Sequence, residues 1–160
     1  MSGDGLEQKL KEDEAVKMFF SLAFFEPFDK HEKLELAEFD TYVVHYSKEE
    51  YIIREGGPNN CLFILLKGEV AITKRIAPDV RLATLRSGAV FGEIAFLVDP
   101  PPRITNAVTL EKTSVLRLDK EILNEISPGL QIKIKDQLLR LLVNKLDNMN
   151  KMLINHIRAV

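Results

Sequence analysis

The chain has 160 residues, 46% hydrophobic and 29% charged, with 22 Lys and Arg against 24 Asp and Glu. That length suits about one ordinary domain, able to bury roughly 70% of its unfolded surface without staples, and the balance excludes a disordered chain. A net charge of −2 supplies no basic field of the kind that bulk attraction to nucleic acid requires.

The first residues, MSGDGLEQKLKEDEA, carry acids where a secretion signal has an apolar core. No stretch approaches the ~18 apolar residues of a membrane span. A soluble, cytoplasmic protein without a membrane segment is therefore expected. Leu6 to Leu22 is rich in Glu, Lys, Leu, Met and Phe and lacks Pro and Gly, which favours helix. Phe24-Phe25-Glu26-Pro27-Phe28 is an aromatic cluster broken by proline, and Lys30 to Phe39 fits a second short helix.

From Asp40 the texture becomes β. Thr41 to Tyr46 and Tyr51 to Arg54 are short β-type runs, and Gly56-Gly57-Pro58-Asn59-Asn60 is a turn signal. The lone cysteine, Cys61, excludes a disulfide within the chain, fits a reducing compartment and reads as a small buried hydrophobe. Leu62 to Leu66 is a buried-type strand and Lys67-Gly68-Glu69 a tight hairpin turn into Val70 to Lys74. Arg81 to Leu85, Ala107 to Leu110 and Val115 to Leu118 are further strands. Many short strands between close turns predict an antiparallel jelly-roll β-barrel. The fold class is mainly β with flanking helices: an N-terminal helical segment over 1–39, the barrel over 40–118, and C-terminal helices over 119–160.

Asp119 is the expected N-cap of a helix over Lys120 to Ile126, and Pro128 the first residue of a helix of about 30 residues. Leu139, Leu142, Leu146, Met149, Leu153, His156 and Val160 step alternately by 3 and 4, a coiled-coil signal that weakens backwards at Lys135. A second stripe, Leu130, Ile134, Leu138 and Leu141, suits packing on the chain's own domain. A homodimer through residues 130–160 is expected.

The segment Phe91-Gly-Glu-Ile-Ala-Phe-Leu-Val-Asp-Pro-Pro-Pro-Arg-Ile-Thr-Asn-Ala-Val108 places one carboxylate, Glu93, ten positions before one guanidinium, Arg103. Glu93 to Leu97 fits one helical turn whose first N–H groups lack partners and favour anions. Gly92 allows close approach to the backbone. Arg103 offers a forked, permanently charged donor to a phosphate, and an ionised Glu93 can only accept, as from a sugar hydroxyl. The residues alone also allow a plain ion pair between the two.

Ile53-Arg-Glu-Gly56, Leu62-Phe-Ile-Leu-Leu-Lys-Gly-Glu-Val70, Leu85 to Leu97 and Pro102-Arg103 together resemble the cyclic nucleotide-binding domain of the catabolite activator protein, kinase regulatory subunits and gated channels. The likeness covers nearly all of residues 15 to 145. It implies cAMP or cGMP as ligand, with Glu93 on the ribose 2′-hydroxyl and Arg103 on the cyclic phosphate. Phe91, Gly92, Ile94 and Ala95 would complete the cradle, with Ile104, Thr105 and Asn106 beside it. It also implies that a long final helix covers the base and carries the output to a downstream protein that the sequence does not identify. Two features depart from the pattern. Ile104-Thr105-Asn106 stand where smaller residues are usual, and Pro100 to Pro102 stiffen the loop. They support an alternative reading, in which the fold has lost its nucleotide and serves protein interaction and dimerisation. No helix-turn-helix follows the long helix, so direct DNA binding is not expected. His31, His45 and His156 lie far apart on different elements, and no nucleophile elbow occurs, so neither a metal site nor catalysis is expected.

Overall fold

Two four-stranded antiparallel sheets enclose the core of the computed structural model, which describes residues 21–37, 42–76, 78–98 and 103–159. The strands are β1 (Tyr42–Tyr46), β2 (Tyr51–Ile53), β3 (Leu62–Lys67), β4 (Val70–Lys74), β5 (Val80–Leu85), β6 (Val90–Phe91), β7 (Asn106–Thr109) and β8 (Thr113–Leu118). One sheet runs β1-β8-β3-β6 and the other β2-β7-β4-β5. The mainly antiparallel β architecture with flanking helices is as expected. The barrel is not closed, however: each sheet keeps its own edges.

Ile52 and Ile53 on β2, Phe63 and Leu65 on β3, Val70 on β4, Phe91 on β6, Ala107 on β7 and Val115 on β8 form one cluster drawn from both sheets. The rings of Phe63 and Phe91 stack at 5.3 Å. β3 is buried at five consecutive positions, Leu62 to Leu66, so both of its faces are covered. β3 has neighbours on both sides, β8 and β6, and β4 has β7 and β5. The Lys67-Gly68-Glu69 turn is thus not a hairpin between paired strands but the corner that carries the chain from one sheet to the other. Gly68 takes φ +107 there, and a Cβ would lie 2.5 Å from Thr113 Oγ1 and 2.6 Å from the Lys112 carbonyl oxygen.

Helix α1 (Lys30–Ala37) opens on a reciprocal capping box. The Glu32 amide donates to Asp29 Oδ1 at 2.8 Å, and the Asp29 amide to Glu32 Oε1 at 3.0 Å. Before it, Phe24, Phe25 and Phe28 bury their rings edge to face. The helix expected from Leu6 lies almost wholly outside the described residues, as do the prolines at 100–102 and Val160. The short helix α2 (Glu93–Leu97) follows β6, and α3 (Ile122–Glu125) follows β8. Asp119 does not spend its carboxylate on α3: Oδ1 accepts the Cys61 thiol at 3.0 Å and lies 3.3 Å from Arg117 Nε.

The chain divides into two compact units, Met1–Glu125 and Ile126–Val160. The second is dominated by α4 (Pro128–Arg158), with Pro128 in its first turn as expected. At 31 residues the helix is roughly 46 Å long. Its two stripes separate. Leu130, Ile134 and Leu138 are buried, whereas Leu139, Leu146, Met149 and Leu153 are each more than half exposed.

Candidate functional site

The two charges singled out in the sequence both lie in the interior: Glu93 is 6% exposed and Arg103 7%. Gly92 sits at φ +79, where an L side chain is strained, so the chain turns sharply from β6 into α2 at a residue free to do so. A Cβ at this position would lie 2.8 Å from the Cys61 carbonyl oxygen and 3.0 Å from Arg103 Nη1. The glycine therefore serves two ends, a backbone turn and the room in which the guanidinium sits.

Burying a cation requires something in place of water. Here backbone oxygens supply it. Arg103 Nε donates to the Asn59 carbonyl. Nη2 donates to Asn59 Oδ1 at 3.0 Å and to the Cys61 carbonyl at 2.9 Å. Nη1 donates to the Gly92 carbonyl at 3.3 Å. These bonds use four of the five N–H donors that a guanidinium carries. The fifth belongs to Nη1, beside Gly92 and the start of α2. Burial lowers the Arg103 pKa from its ordinary value, opposed first by Cys61 and then by the Glu93 carboxylate. The group stays protonated throughout the physiological range.

The anchoring residue is Asn59, which the sequence shows only as part of a Gly-Gly-Pro-Asn-Asn turn. Its Oδ1 accepts the Cys61 amide at 2.7 Å as well as Arg103 Nη2. One side-chain oxygen thus shapes the loop before β3 and ties the arginine to it. A second latch holds the segment after Arg103. The Gly56 amide donates to the Arg103 carbonyl at 2.7 Å, and the Glu55 amide to Asn106 Oδ1 at 2.7 Å. Lys74 Nζ meets both Glu55 Oε1 and the Ile104 carbonyl at 2.6 Å. The Lys74 hydrogen bond and then the Arg75 amide hold the Glu55 carboxyl below its ordinary pKa.

Of the residues expected at the site, Gly92 lies against the Arg103 guanidinium, and Glu93, the next residue, is close enough for its charge to act on that guanidinium. The Phe91 ring belongs to the core, so only its backbone is available to a ligand. Ala95 is buried, whereas Ile94 is 37% exposed and Ile104 52%. Asn106 is buried and committed to the Glu55 amide, and Thr105 is half-buried. Cys61, expected as an inert buried hydrophobe, has a more particular place. Its carbonyl holds Arg103 and its thiol donates to Asp119. Burial first, then the bond to Asp119 and that carboxylate's charge, push the thiol up to about 12.

The cyclic nucleotide-binding domain family profile matches residues 43–127. The chain is 26% identical over 141 residues to the cAMP-dependent protein kinase regulatory subunit of Dictyostelium discoideum, covering 84% of this chain and 41% of that protein. It is 34% identical over 104 residues to the cGMP-dependent protein kinase of Toxoplasma gondii, covering 65% of this chain and 10% of that one. The chain thus spans less than half the length of these curated relatives. Among solved structures, a cyclic nucleotide-binding domain from Methylobacillus flagellatus superposes with a TM-score of 0.76 at 22% identity, over 91% of this chain and 84% of that one. That likeness establishes the fold.

The environment of Cys61 predicts slow alkylation. A thiol shifted from 9.0 to about 12 has a thiolate fraction about a thousandfold smaller at neutral pH. Iodoacetamide at pH 8 should therefore react with the folded protein orders of magnitude more slowly than with glutathione, and Asp119→Asn should accelerate it. Equal rates for protein and glutathione would contradict this account of the Cys61–Asp119 bond.

Proposed function

Because the chain belongs to the cyclic nucleotide-binding domain family, we propose that it is a cAMP or cGMP sensor, a regulatory module rather than a catalyst, reporting through its C-terminal helix. The observation that carries this reading is the buried Arg103 guanidinium, satisfied by carbonyls on three sides with one Nη1 donor left beside Gly92. A cyclic phosphate placed there accepts that donor and displaces the long 3.3 Å bond to the Gly92 carbonyl. The backbone of Gly92 and the N–H groups of Ile94 and Ala95, in the first turn of α2, supply the rest of the cradle, as the family pattern implies. Glu93 takes the ribose 2′-hydroxyl. Phe91 contributes backbone, and Ile104, Thr105 and Asn106 form the flank of the loop.

A cyclic nucleotide carries one negative charge. The site is suited to it by one permanent cation that has already lost its hydration and is held in place by neutral dipoles. Preorganisation of this kind lowers the cost of ordering the arginine on binding.

The same hydrogen bonds favour a second reading. Arg103 is already well satisfied by protein oxygens, and a domain that has lost its nucleotide would keep such an arginine as a structural pin. The working surface would then be α4. In either reading we place a homodimer on this helix, because the exposed stripe of Leu139, Leu146, Met149 and Leu153 follows the coiled-coil period. The downstream protein would be recognised by elements that respond to this assembly.

Titration calorimetry with cAMP and cGMP tests the nucleotide reading. Saturable heat with at least one of them is expected, and Arg103→Ala should weaken binding by about 2–4 kcal/mol, or about 30- to 1,000-fold. Absence of heat at millimolar nucleotide would leave the pin reading standing. Light scattering tests the helix: the wild type should have twice the chain mass and Leu146→Glu the mass of one chain. A wild-type monomer at high concentration would overturn the dimer.

A further inference from the structure

A cleft of about 420 Å³ opens elsewhere in the first unit, lined by His45, Tyr46, Ser47, Glu50, Lys67, Lys112, Thr113 and Ser114. None of these residues belongs to the Gly92–Arg103 site. We propose that this cleft is a separate anion site, and that it takes a phosphate-type dianion, free or as the monoester of a small molecule.

The sheet register assembles the donors. Ser114 on β8 pairs with His45 on β1 and with Lys67 on β3, so the three form one row across the sheet. Cross-strand partners of this kind share a face. The β3–β8 register shifts between Leu65 and Lys67. An irregularity there re-aims the strand end that carries the lysine. Lys112, in the β7–β8 turn, is a second lysine lining the same cleft. Neither lysine has an ion-pair or hydrogen-bond partner among the described residues, and the Ser47 hydroxyl has none either. His45 Nδ1 lies 2.8 Å from Ser114 Oγ. With that nitrogen accepting from the hydroxyl, the ring's remaining N–H is on Nε2.

The walls are fixed before any ligand arrives. Thr109, fully buried, clamps the β1–β2 turn from below. Its Oγ1 donates to the Ser47 carbonyl at 2.6 Å and accepts the Glu50 amide at 2.9 Å. The Glu49 amide donates to the Thr109 carbonyl at 2.9 Å, and Glu49 itself is held at φ +64. A non-glycine residue in that region is strained, and the surrounding bonds must hold it there. Thr113, 2% exposed, fixes the opposite wall through bonds to the Glu111 and Glu69 carbonyls at 2.8 and 3.4 Å. Gly68 lets the sheet-changing corner approach within van der Waals reach of that wall. Two buried threonines and a strained turn thus hold a cleft that the Gly92–Arg103 chemistry does not need.

The charge balance selects the ligand class. Among the described residues, Glu50 is the one carboxylate lining the cleft, and its Oε2 accepts the Ser47 amide at 3.1 Å. Against it stand the two lysines and the His45 ring. The excess is positive, and the donors are compact ammoniums, a hydroxyl and a ring N–H. That set suits a tetrahedral dianion better than a flat apolar body.

The experiment follows backbone amides by ¹⁵N–¹H NMR while inorganic phosphate, and separately glycerol phosphate, is added at constant ionic strength. The proposal expects saturable shifts at Ser47, Lys67, Thr113 and Ser114, equal in the wild type and Arg103→Ala. In Lys67→Gln/Lys112→Gln the affinity should fall about tenfold or more. Tighter saturation by one of the two probes distinguishes the free ion from the monoester. Three results would overturn the proposal: drift without saturation at these amides, shifts confined to Gly92–Ala95 and Arg103, or unchanged affinity in the double variant. Because Arg103→Ala removes the cation of the nucleotide site, phosphate binding that persists in it is independent of that site; failure here therefore leaves the reading of that site untouched, and the converse also holds.

Discussion

The site rests on one buried cation. Arg103 is 7% exposed, and its hydrogen bonds go to no carboxylate among the described residues; its charge is held by the carbonyls of Asn59, Cys61 and Gly92 and the side-chain oxygen of Asn59. Dipoles of this kind offset desolvation without neutralising the charge. A direct ion pair would cancel the field that an anionic ligand feels. The carbonyl arrangement keeps that field and fixes the guanidinium plane, so charge and geometry are set by the same bonds.

The fold explains why those oxygens converge. The loop before β3 carries Asn59 and Cys61, the end of β6 carries Gly92, and the start of the segment into β7 carries Arg103. β3 and β6 are neighbours in one sheet, while β7 lies in the other. Arg103 therefore stitches the two sheets together at one end of the core. Glu55, Lys74 and Asn106 stitch the adjoining backbone by the same logic. Under the proposed function, an anion arriving at Nη1 would act on a joint between sheets rather than on a loop alone.

Much of this was legible in the sequence, and the reasons are physical. β-type runs between turn residues located nearly every strand, because side-chain period and Gly/Pro chemistry are local signals. Gly92, Glu93 and Arg103 stand out in the sequence because a glycine, one carboxylate and one guanidinium bracket an apolar run; the structure buries both charged residues and sets Gly92 at φ +79, while the phosphate and ribose roles belong to the proposal. The two stripes of α4 were legible from helical period, and their burial divides as the periods do. Pairing was not legible. Lys67-Gly68-Glu69 looks like a hairpin turn, yet the choice between hairpin and sheet-changing corner depends on which strands flank β3, a long-range property. Asn59 was missed for a related reason. An asparagine after Gly-Pro reads as turn chemistry, and nothing local says that its side chain will meet an arginine 44 positions away. Asp119 likewise looked like a cap, but the packing of Cys61 and Arg117 beside it claims its carboxylate.

The central claim is that Arg103 is already immobilised in the free protein and presents its remaining Nη1 donor to a cyclic phosphate. Side-chain ¹⁵N NMR of Arg103 measures this directly. The account predicts slowed rotation of the guanidinium, with resolved Nη signals before any ligand is added. It then predicts a saturable change in the Nη1 signals on adding cAMP or cGMP. A freely rotating, averaged guanidinium in the free protein, or Nη signals unmoved by a nucleotide that binds, would contradict it.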